Sequence, residues 1–63
     1  MNFDLDEVLA CLESSGYTLS PSHPRDILIR FMLEHELKAR SGMERLYVVN
    51  SSLYELELPR LEP

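Results

Sequence analysis

Residues 27–33, ILIRFML, set six apolar side chains around one arginine in a chain of 63 residues. A surface helix carries its apolar residues on one stripe. A segment that is apolar on nearly every side must be covered from more than one direction, and in so short a chain cover is scarce. A domain of this size buries only about 60% of the surface its unfolded chain exposes. Such domains usually gain stability from disulfides, a bound metal or self-association. The single cysteine, Cys11, excludes an internal disulfide, and one Cys with two distant His offers no zinc-ligand spacing. Close packing or pairing with a second copy is left to supply the stability.

Acidic residues outnumber basic ones by 11 to 6, for a net charge of −5. This balance argues against a general binder of phosphate backbones, which needs a basic footprint, so nucleic acid is not the expected partner. The N-terminal MNFDLDEV has neither the basic nor the long apolar region of a signal peptide. No apolar run is long enough to span a membrane, and a cytoplasmic protein is expected.

The first segment carries consistent helix signals. Asp4 suits the N-cap, with Glu7 at N3 as in a capping box. Phe3 and Val8 suit a hydrophobic staple across the same turn. Leu5, Val8, Leu9 and Leu12 fall on one face. Gly16 fits the left-handed C′ position, and Tyr17 at C″ can then cover Leu12 at C3. The pattern predicts a helix over 5–15.

A second helix is predicted from Pro24 to Arg40. Pro24 fits N1, where a missing N–H costs nothing, with His23 as the cap and Ser22 as an alternative. Gly42 lies just beyond the end. Glu34–Lys38 and Glu36–Arg40 have the spacing of i,i+4 ion pairs. On a helical wheel Ile27, Leu28, Phe31, Met32 and Ala39, with His35 among them, form the broader apolar arc and are the expected core face. Ile29, Leu33 and Leu37 form a second ridge at i, i+4, i+8. Either the other elements of the chain cover this ridge, or it docks on a twin or a partner.

The third segment, ERLYVVNSSLYELELP, reads as a β-hairpin, because both arms are rich in Tyr, Val and Leu. A three-residue loop Asn50-Ser51-Ser52 pairs Leu46 with Leu56 and Val48 with Tyr54, which leaves one wholly apolar face. Pro59 would end the second strand. The expected fold is therefore a small α+β domain in the order α-α-β-β over residues 1–58, with a loose tail over 59–63.

No motif for catalysis, phosphate binding or metal binding is present. Cys11 sits beside Ala10 and Leu12 without a basic neighbour to activate it, and is expected to be structural. His35 reads as a core or interface residue, and His23 and the nearby serines as caps and turns. No catalytic, cofactor or metal residues are assigned, and the chain is not expected to be an enzyme. The carboxylates at both ends (Asp4, Asp6, Glu7 and Glu13, then Glu44, Glu55, Glu57 and Glu62) form a solubilising surface, or a negative face for a basic surface on a partner.

The expected function is protein–protein interaction, by a small acidic homodimeric adaptor or inhibitor of a larger protein. Its expected interface is Ile29, Leu33, Leu37, Tyr47, Val49 and Leu53, where aromatic and aliphatic anchors combine. The alternative follows from element order. Helix, helix, hairpin resembles the end of a winged-helix DNA-binding domain, which would imply a transcriptional regulator with the second helix as reader and VVNSSLY as wing.

Overall fold

The first helix forms where its caps place it. In the computed structural model, which describes residues 3–62, α1 spans Leu5–Ser14, and the Asp4 carboxylate accepts the backbone N–H of Glu7 at 2.9 Å. Phe3 and Val8, the expected staple, both enter the core. Gly16 takes φ +91° at the C-terminal end. There Tyr17 N–H donates to the Leu12 carbonyl at 2.9 Å and Gly16 N–H to the Glu13 carbonyl at 3.0 Å, which is a Schellman ending.

The second helix, α2, spans Pro24–Ala39 with Pro at N1 and His23 as its cap. The His23 Nδ1 accepts the Arg25 N–H at 3.2 Å. Just upstream, the Asp26 carboxylate accepts from Ser20 N–H at 2.8 Å and from the Tyr17 hydroxyl at 3.3 Å. The loop leaving α1 is thus tied to the first turn of α2.

The third element corrects the expected fold class. Residues Gly42–Glu55 form a helix, α3, and no strand occurs among the described residues. The protein is all-helical, with neither the α+β architecture nor the β-hairpin. The three residues assigned to the hairpin loop show why. Turn-forming side chains favour loops because they hydrogen-bond local backbone, yet each of these finds a partner compatible with a helix. Ser51 Oγ donates to the Tyr47 carbonyl one turn back, at 2.9 Å. Ser52 Oγ donates to the Glu36 carboxylate on α2. Asn50 pairs with the backbone of Leu61 in both directions, donating at 3.1 Å and accepting at 2.7 Å. The apolar residues then follow helical spacing, with Leu46, Val49 and Leu53 facing inward.

Helix α2 lies in the middle, packed on both α1 and α3. It runs antiparallel to α3. Near one end Arg25 donates to the Leu56 carbonyl at 3.3 Å, and at the other the Arg40–Glu44 ion pair, at 3.1 Å, bridges the short turn. Gly42 supplies φ +58° in that turn, a conformation open to glycine at little cost. The expected pairs Glu34–Lys38 and Glu36–Arg40 are replaced: Glu34 pairs with Arg30 at 3.6 Å, and Glu36 turns to Ser52.

The core is built from Val8 and Leu12 of α1, Ile29, Leu33 and Leu37 of α2, and Leu46, Val49 and Leu53 of α3. Each such residue contributes about 1.5–3 kcal/mol on full burial. Phe3 closes one end, and Leu58 and Leu61 extend the core past α3. Within the expected loose tail, 59–63, Leu61 is buried and paired with Asn50, whereas Pro63 lies outside the described residues.

Candidate functional site

The two apolar faces of α2 are placed the opposite way round from the expected one. The ridge Ile29, Leu33, Leu37 is core, and the broader arc is surface: Leu28 is 69% exposed and Phe31 65%, with Ile27 at the border. Met32 is half-buried against the core edge. The broader arc holds more apolar side chains than the ridge, so apolar area on α2 by itself would not select the ridge for the core. The polar residues beside the ridge favour the observed orientation. With Ile29, Leu33 and Leu37 turned inward, Asp26 reaches Ser20 and Tyr17, Arg25 reaches the Leu56 carbonyl, and Glu36 reaches Ser52. Turned outward, these groups would lose those partners.

Of the six residues read from the sequence as an interface, five lie inside the single chain: Ile29, Leu33, Leu37, Val49 and Leu53 are buried, and all belong to one core. Tyr47 is the exception, at 76% exposed. The surface candidates that the sequence reading missed are Leu28 and Phe31 on α2, and Met43 and Tyr54 on α3. The helical wheel already groups Leu28 with Phe31, so the signal lay in the choice of face. Tyr54 was hidden by the hairpin register, which turned it inward.

Two surface regions result. Beside Phe31 lies a hollow of about 360 Å³, lined by Leu19, Pro21, Ile27 and Phe31 with Arg30 and Glu34 at its rim. Helix α2 carries Arg25, Arg30 and Lys38 against Asp26, Glu34 and Glu36, so it is electrically balanced although the chain is not. The second region is an open groove of about 640 Å³ along α3, lined by Met43, Tyr47, Asn50, Tyr54, Glu55 and Arg60.

Cys11 is half-buried against the core and is a free thiol. His35, read from the sequence as a core or interface residue, is exposed on the outer arc of α2 and so is not part of the core. No grouping of His, Cys, Asp and Glu suited to a metal ion occurs among the described residues, and no described helix is long and apolar enough to cross a membrane. With α3 in place of a hairpin, the wing required by the winged-helix alternative does not form. In comparison with known proteins, the chain matches no family model, no curated protein and no solved structure.

Proposed function

We propose that this protein is a small acidic protein–protein interaction module, an adaptor or inhibitor that acts as a homodimer paired through the outer face of α2. The observation that carries the reading is the exposure of Leu28 and Phe31, with Ile27 at the border, on the outer arc of α2. Contiguous apolar surface left in water on a folded chain marks an interaction site.

A second copy suits this face for two reasons. Helix α2 is balanced in charge while the remainder of the chain carries the whole net charge of −5. Two copies meeting on α2 therefore bring no excess of like charge into direct contact. The face also combines projecting side chains with the adjoining hollow, and an isologous pair needs one patch that supplies both knob and hole.

The test is the solution mass, measured by sedimentation or light scattering across a dilution series. A mass twice that of one chain, reduced to one chain by Phe31→Glu with the helical circular dichroism retained, is the expected result. A single-chain mass at every concentration, or a dimer that Phe31→Glu leaves intact, overturns the pairing.

A further inference from the structure

The α3 groove differs from the α2 face in charge and in shape. Met43, Tyr47 and Tyr54 stand in a row on the outer side of α3, and the two tyrosines are each about three-quarters exposed. At 1.5 Å per residue the row extends for about 16 Å, or three helical turns. Glu55 lies in the groove beside Tyr54, and Glu57 joins Glu55 and Tyr54 in the adjoining hollow at its end. Neither carboxylate takes part in an ion pair or hydrogen bond among the described residues. Arg60 is the cation set against these two acids. Along the groove and its adjoining hollow the acids therefore outnumber the cation by two to one, Glu55 and Glu57 against Arg60.

We propose that this groove receives an amphipathic helix bearing lysine or arginine from a partner protein. The apolar side of such a helix would cover Met43 and the tyrosine rings, in the manner of a helix laid into an apolar groove. Its cations would meet the faces of Tyr47 and Tyr54 and the carboxylates of Glu55 and Glu57, combining cation–π and charge attraction. The negative balance that attracts a basic helix also disfavours a second copy of this chain at the same place. The inference stands whether or not α2 pairs, because it rests on a different face.

The experiment titrates the isotope-labelled full chain with a synthetic amphipathic helix of leucine and lysine, at low and at moderate salt. The same peptide with glutamate in place of lysine, and a single-stranded DNA oligonucleotide, serve as comparisons. The lysine peptide is expected to bind and to shift the amide resonances of residues 43–57. Tyr47→Ala with Tyr54→Ala should weaken it roughly tenfold, as loss of two aromatic anchors does. Both tyrosines are exposed, so the variant keeps its fold, which circular dichroism checks. Glu55→Gln with Glu57→Gln should weaken binding several-fold, whereas Asp6→Asn with Glu13→Asn, the same change of charge on α1, should alter it less than about twofold.

Equal loss from the two charge pairs would reduce the effect to bulk attraction and overturn the proposal. So would tighter binding of the glutamate peptide or the oligonucleotide, or no binding of the lysine peptide at low salt. A fall in solution mass caused by the tyrosine substitutions would assign the groove to a second copy and overturn it as well. The mass measurement that judges α2 pairing does not depend on any of these results.

Discussion

Gly16 and Glu57 occupy the same position at the ends of two different helices. Each is the left-handed residue just past its helix, with φ +91° and +59°. Behind each the same pair of hydrogen bonds forms, Tyr17 to Leu12 and Gly16 to Glu13 after α1, Leu58 to Leu53 and Glu57 to Tyr54 after α3. In both cases the next residue packs back toward the core. One ending uses the residue suited to this conformation, and the other holds a glutamate there at a conformational cost.

Glu57→Gly is therefore expected to raise the unfolding free energy by about 0.5–1 kcal/mol, by relieving the left-handed strain. Gly16→Ala should lower it by about 1–2 kcal/mol. At Gly16 no heavy atom lies within 4 Å of an added Cβ, so that loss is conformational and not steric. Urea denaturation of the two variants measures both changes.

Ser52 and Glu36 join α3 to α2 through one hydrogen bond, and the second carboxylate oxygen of Glu36 is buried without a partner among the described residues. Ser52→Ala should cost about 1.5–3 kcal/mol, the usual range for a hydrogen bond to a charged group. In a double-mutant cycle with Glu36→Ala most of that loss should appear as coupling between the two. Additive losses would show that the bond contributes little.

Asn50 holds the chain after α3 by imitating a backbone pairing with Leu61. Asn50→Ala should destabilise the fold by about 1–3 kcal/mol, because it leaves the Leu61 N–H and carbonyl without these partners. Amide exchange at Leu61 should accelerate far more than exchange at Val8 or Leu12 of α1. Uniform acceleration would mean that the tail and the helices open together.

The two faces of α2 predict opposite outcomes for the same substitution. Leu33 is fully buried at the centre of the core, so Leu33→Glu should abolish the cooperative unfolding transition by burying an unpaired charge. Phe31→Glu should leave that transition within about 0.5 kcal/mol of the single chain's stability, as for an exposed site. Thermal unfolding under dilute conditions separates the two.

The sequence by itself determined the features that depend on neighbouring residues. The Asp4 and His23 caps, Pro24 at N1, the Gly16 ending and the apolar spacing of α1 are local, and each formed where the pattern placed it. Tertiary structure decided the rest. Asn50, Ser51 and Ser52 are turn formers in isolation, and two of them are drawn into a helix by partners eleven and sixteen residues away, Leu61 and Glu36. The glycine that would have marked the end of that helix is replaced by Glu57, so the stop was not visible. The apolar pattern of α2 allows two inward faces, and by itself it favours the broader one. The hydrogen bonds that Asp26, Arg25 and Glu36 make to distant segments, together with packing against α1 and α3, favour the ridge of Ile29, Leu33 and Leu37 for the core. They leave Leu28 and Phe31 outside, because burial energy depends on area while a hydrogen bond depends on where its partner stands.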